Sequence, residues 1–223
     1  MSANANETPQ RVWDLPTRLF HWLLVVLIAI QYATGEFHWL DMDWHMRFGY
    51  ATLALLLFRV LWGVAGSQTS RFSDFVRGPR AVWSYLRSQF STNPQGSIGH
   101  NPLGGWSVLA VLACIGVQAL SGLFSSDDIV TEGPLAKHVS DATVKLMTRV
   151  HHWNENVLVL LIVLHVAVVL GYLLIARVDL IRPMISGRKS LAHTALFRFA
   201  PWWRALLLLA VAIAVVTALV NYS

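Results

Sequence analysis

An all-α integral membrane protein is the fold that this 223-residue sequence predicts, and three observations predict it. Hydrophobic residues make up 55% of the chain and charged residues only 13%, about half of what a soluble domain carries. Mean hydropathy is +0.52. Five separate stretches are long and apolar enough to cross a bilayer as helix, which takes about 20 residues. The apolar content excludes disorder. The single cysteine, Cys114 in an apolar run, excludes a disulfide-framed secreted domain. The net charge of +5 does not call for nucleic acid, because the arginines gather in particular loops rather than in one binding motif.

The spans follow from the hydropathy pattern in order. The first covers about residues 18–34 and the second 45–64; the third covers 105–124, the fourth 150–176 and the fifth 202–220. The fifth is free of charge after Arg204. Residues 1–10 are polar and show no cleavage pattern, so the first span is expected to act as an uncleaved anchor. There is no internal repeat and no low-complexity stretch. The organisation expected is a four-helix membrane domain over residues 1–190, with residues 191–223 supplying a C-terminal transmembrane helix. Residues 79–90 (PRAVWSYLRSQF) suit an amphipathic helix lying along one membrane surface.

Loop charge sets the orientation. The turn after the first span carries Glu36, Asp41 and Asp43 and no basic residue before Arg47. The loop after the second carries Arg71, Arg77, Arg80 and Arg87 against Asp74 alone. The next loop is mixed, and Arg177, Arg182, Arg188, Lys189 and Arg198 follow the fourth span. The two Arg-rich segments read as cytoplasmic, which places the N-terminus inside and the C-terminus outside. Tryptophans, among them Trp39, Trp44, Trp106, Trp153 and Trp202, gather near the span ends as interfacial aromatics do.

Chemistry resides in the histidines. His21, His45, His151 and His165 fall within or at the ends of spans, where ionisable groups are costly and usually face a bundle interior. His151 and His165 are fourteen residues apart. On a helix that returns to nearly the same face, offset by about 40°, with about 21 Å between them. With helices alternating up and down, His45 comes level with His151 on the outer side and His21 with His165 on the inner side. Two stacked pairs of imidazoles are the usual axial ligands of two haems, and bundles build such sites from facing helices. No Cys-x-x-Cys-His occurs, so the haems would be b-type. Gly49, one turn after His45, would let a porphyrin approach the backbone. Arg59, fourteen residues after His45, would pair with an inner-haem propionate, or else snorkel to the interface. Gly116 and Gly122 would admit a porphyrin or serve plain helix packing, and Arg47 and Arg149 are weaker propionate partners. Zinc or copper is disfavoured, because neither pair has an acid or thiolate beside it.

These residues resemble the bacterial cytochrome b561 family, which includes the cytochrome b subunit of nickel-iron hydrogenases. RVWDLPTRLFHWLLV at residues 11–25 is similar to its opening motif, with His21 in the ligand position. HMRFGY (45–50) resembles its second-helix motif, and GHNPLGGW (99–106) the lead into its third helix. HHW from His151, with His165 fourteen residues on, resembles the paired ligands of its fourth helix, and PMISGRK (183–189) the segment after it. The resemblance implies a di-haem module of the bacterial inner membrane that relays electrons between an outside redox partner and the quinone pool, with ubiquinone or menaquinone as substrate. It also implies a quinone site beside the inner haem, with Asn101 as a hydrogen-bond partner. The outside partner expected first is a periplasmic cytochrome c or a hydrogenase-like complex. A self-sufficient superoxide oxidase that reduces quinone comes second. From another class, a cofactor-free anchor or transporter would leave the paired histidines without a role.

Overall fold

The structure, a computed structural model, describes residues 8–89, 99, 101–127, 131–191 and 196–222. Phe90 and His100, which fall within the sequence motifs above, lie outside these residues. Five helices are long and apolar enough to cross a membrane: α1 (Leu15–Glu36), α2 (Met42–Ala65), α5 (Pro102–Gly122), α6 (Asp141–Leu174) and α8 (Trp202–Asn221). Between them lie the short α3 (Phe72–Phe75), α4 (Pro79–Gln89) and α7 (Ile181–Ser186). Strands β1 (Thr8–Arg11) and β2 (Arg188–Leu191) pair antiparallel, Thr8 opposite Leu191 and Arg11 opposite Arg188. The apolar spans thus appear where hydropathy placed them. The exception is α6, which begins nine residues before the expected span, because Ser140 caps its first turn and no glycine or proline interrupts the polar stretch behind it. Helix α4 forms over the amphipathic segment.

The helices are covered on few sides by protein. Half of the most apolar stretch of α2 is buried but only 6% of that of α6. Leu160, Val163 and Leu164 of α6 and Leu23 and Val26 of α1 are exposed, as side chains that face acyl chains are.

The contacts divide the chain into two compact units. The first takes its residues from 1–19, 61–110 and 165–205. Here Asp14 caps α1 by accepting the Thr17 N–H (2.9 Å), while its other oxygen accepts the Trp62 indole N–H (3.1 Å). Thr17 and Ser70 share a hydroxyl contact of 2.6 Å. Gly187 ends α7 with φ +79°, in the left-handed region, and its carbonyl takes the Val12 and Trp13 N–H groups. An added Cβ would lie 2.8 Å from the Trp13 carbonyl oxygen, so a side chain is excluded there twice over. Val12, Trp13 and Leu191, with Met184 and Phe197 against them, form the core beneath the β1–β2 pair.

The second unit takes its residues from 20–60, 111–164 and 206–223. Its core joins Leu53 and Ala54 of α2, Leu123 just past α5, and Val216 of α8. The turn after α5 is tied back by Gly133 N–H to the Ser125 carbonyl (2.7 Å) and Leu135 N–H to the Leu123 carbonyl (2.9 Å).

Candidate functional site

In the second unit the His45 and His151 rings face each other, centroids 6.4 Å apart and planes at 76°. Both are half-buried. Each Nδ1 is held by a neighbouring helix. His151 Nδ1 lies 3.0 Å from the Gln118 carbonyl and 3.3 Å from Ser121 Oγ of α5. A carbonyl only accepts, so His151 carries its proton on Nδ1 and leaves the Nε2 lone pair free to bind. The Ser121 hydroxyl donates to the Val117 carbonyl (2.6 Å) and offers His151 only a lone pair. His45 repeats the pattern on α1. Its Nδ1 lies 2.9 Å from Thr34 Oγ1, whose proton goes to the Ile30 carbonyl (2.9 Å). The Gln31 amide nitrogen approaches the same Nδ1 at 3.3 Å, but its shorter bond is to the His45 carbonyl at 2.9 Å; the Gln31 main-chain carbonyl also bonds the His45 ring and, as an acceptor only, puts the proton on Nδ1. Behind each ring stands a glycine: an added Cβ would lie 3.3 Å from His45 Cε1 at Gly35 and 3.0 Å from His151 Cε1 at Gly122. Asn154 of α6 fastens α5 below this point, donating to Gln118 Oε1 (2.7 Å) and to the Cys114 carbonyl (3.0 Å).

The other expected residues fall as follows. The Gly49 N–H meets the Gln31 amide oxygen at 2.9 Å. Gly116 packs on Leu56, whereas Gly122 backs His151. Arg59 is 3% exposed, its guanidinium 5.9 Å from the ring centre of Phe20, the residue before His21. Arg47 lies over Trp44 and Arg149 is exposed. His21 stands edge-on to Trp22 on α1 in the second unit, and His165 is exposed on α6 in the first. Asn101 caps α5 by accepting the Gly104 N–H (2.6 Å) and donates to the Tyr172 hydroxyl (3.3 Å). Tyr172 in turn meets the Tyr85 hydroxyl of α4 at 3.0 Å. Burial first, and then the Tyr172 hydroxyl, push ionisation of Tyr85 far above its ordinary range. The sequence reading missed Thr34, Ser121, Tyr85 and Tyr172. The signal available for the first two was a hydroxyl–glycine pair, Thr34–Gly35 and Ser121–Gly122, towards the same end of the first and third spans.

Compared with known proteins, residues 12–187 match the pattern of the prokaryotic cytochrome b561 family. The chain belongs to that family. It is 23% identical to a probable Ni/Fe-hydrogenase B-type cytochrome subunit of Cupriavidus necator, over 80% of this chain and 86% of that protein. No solved structure matches it. A member of this family is a multi-pass b-type cytochrome that carries haem b and transfers electrons within the membrane.

The His45–His151 geometry fits that cofactor. Two metal–nitrogen bonds of about 2 Å, plus the ring radii, put the centroids of two axial imidazoles about 6 Å apart. Both Nδ1–H groups are engaged by acceptors, as metal-ligating histidines require. Among the described residues there is no group of three or more His, Cys, Asp or Glu that would hold a bare metal ion. Haem iron needs only two protein ligands, because the porphyrin supplies the other four.

Proposed function

We propose that this cytochrome b561-family chain is a di-haem relay that moves electrons across the inner membrane between an outside redox protein and quinone. The observation that carries the reading is the 6.4 Å imidazole pair with both Nδ1 atoms engaged. His45 and His151 hold the outer haem, and His21 and His165 the inner one. Haem b supplies one-electron redox chemistry when bound. Arg59, buried and beside Phe20, supplies the countercharge for a propionate of the inner haem. Gly49, one turn after His45, would let the outer haem approach the backbone.

Loop membership supports the orientation. Residues 37–41, 123–127 and 131–140 fall in the second unit and residues 66–89, 99, 101, 175–191 and 196–201 in the first. By sequence the first unit holds twelve Lys and Arg against four Asp and Glu, and the second five against eight. The Arg-rich loops after the second and fourth spans are therefore assigned to the cytoplasmic side. The acidic balance outside favours a cationic protein partner, such as a cytochrome c, over the superoxide anion. A hydrogenase-like complex is the other outside partner, on the strength of the similar Cupriavidus necator protein.

Quinone is assigned to the first unit. Tyr172 lies seven residues after His165 and so on nearly the same face of α6, about 20° off. Of the two phenol protons at Tyr85 and Tyr172, one fills the contact between them, and the other is left to donate to a quinone carbonyl. An open apolar groove lined by Pro79, Val82, Trp83, Leu86 and Trp106 runs along the same helix as Tyr85 and suits an isoprenoid tail.

The test is haem stoichiometry. Purified protein should give two b-type haems per chain in a pyridine haemochrome assay, and His45→Ala and His165→Ala should each leave one. Two haems retained in either variant would break that pair, and none in the parent would end the reading.

A further inference from the structure

The same small device occurs twice in the second unit. On α1, Thr34 and Gly35 receive His45; on α5, Ser121 and Gly122 receive His151. In each case the hydroxyl is back-bonded to its own helix, at Ile30 or Val117, so its remaining valence is a lone pair fixed in direction. The following glycine removes the methyl group that would otherwise press on the ring edge. A ring on a flexible Cβ–Cγ bond is thus held at two points, one polar and one steric. The two seats come from different helices, and the imidazole planes they hold cross at 76°.

We propose that Thr34 and Ser121 are positioning residues that hold the two axial imidazoles nearly perpendicular and tune the iron they ligate. The proposal rests on the haem reading above. Accepting Nδ1–H gives an imidazole more anionic character, makes it the stronger donor and favours the oxidised metal. Loss of the acceptor should therefore raise the potential of the outer haem. The two seats match: each ring also meets a main-chain carbonyl of the helix that seats it, Gln31 for His45 and Gln118 for His151, so removing either hydroxyl weakens the hold on Nδ1–H without abolishing it.

Thr34→Val, Thr34→Ser and Ser121→Ala are the informative variants, read by redox titration and low-temperature EPR of the oxidised holoprotein. The parent should show a low-spin signal with its largest g value in the range typical of crossed imidazole planes. Thr34→Val should shift one of the two potentials upward and move that EPR line. Thr34→Ser should restore both, and Ser121→Ala should give an upward shift of similar size. If Thr34→Val loses one haem while Thr34→Ser keeps it, the hydroxyl is again what holds the ring. Unchanged potential and EPR in Thr34→Val would overturn the proposal, and so would loss of haem in both Thr34 variants, which would mark the position as packing alone. Failure of the underlying reading looks different: His45→Ala would then keep the full haem content whatever Thr34 does.

Discussion

Both carboxylate oxygens of Asp14 are in use and the residue is only 1% exposed, so the start of α1 depends on one side chain. One oxygen takes an N–H of the first turn, which no backbone carbonyl can reach; the other takes the indole N–H of Trp62, itself fully buried. Removing the cap costs about 1 kcal/mol, and leaving a buried N–H unpaired costs about 1–3 kcal/mol more. Asp14→Ala should therefore lower stability by about 2–4 kcal/mol, read as an earlier thermal unfolding midpoint in detergent, and Asp14→Asn should recover part of that. An unshifted midpoint in Asp14→Ala would show that the Trp62 bond contributes nothing. Asp14 could be found as a helix start from the sequence, being a capping residue just before an apolar run. Its second partner, 48 residues away, could not. Thr34 and Ser121 were hidden for a related reason: a hydroxyl within a helix usually bonds back to its own turn, and only the fold brings a histidine to its other side.

At the scale of elements, hydropathy made the five spans legible because lipid demands long apolar helices, and the amphipathic α4 showed in its own spacing. Two features did not show. At 34 residues α6 is about 51 Å long, well beyond the hydrocarbon, and its polar overhang carries no hydropathy signal. The strands β1 and β2 are short, polar and far apart in sequence, so neither alternation nor proximity announces their pairing. The Tyr85–Tyr172–Asn101 cluster belongs to this scale, since it forms only where α4, α6 and the start of α5 meet. Tyr85→Phe and Tyr172→Phe should each slow quinone turnover roughly tenfold, the worth of one lost hydrogen bond of about 1.4 kcal/mol, with haem content and dithionite reduction unchanged. The phenol at Tyr85 holds its proton to higher pH than a free tyrosine, so parent turnover should persist through about pH 10, where an ordinary phenol ionises. Parental rates in both variants, measured with a soluble quinol analogue, would remove the cluster from the quinone site.

For the whole molecule the decisive property is the charge difference between the two units, twelve basic and four acidic residues in one and five and eight in the other. Positive residues resist translocation, whereas acids contribute little to topology, so the proposed orientation rests on the Arg-rich loops after the second and fourth spans. Cys114 is buried, which leaves single introduced cysteines readable against a Cys114→Ser background. His138 lies exposed in the second unit and Ile185, 59% exposed, in the first. A membrane-impermeant maleimide applied to intact spheroplasts should label His138→Cys at once and Ile185→Cys only after lysis. The reverse pattern would invert the molecule and put the His45–His151 pair beside the cytoplasm, so that electrons would enter from inside. Labelling of both positions in intact spheroplasts would overturn the proposed topology.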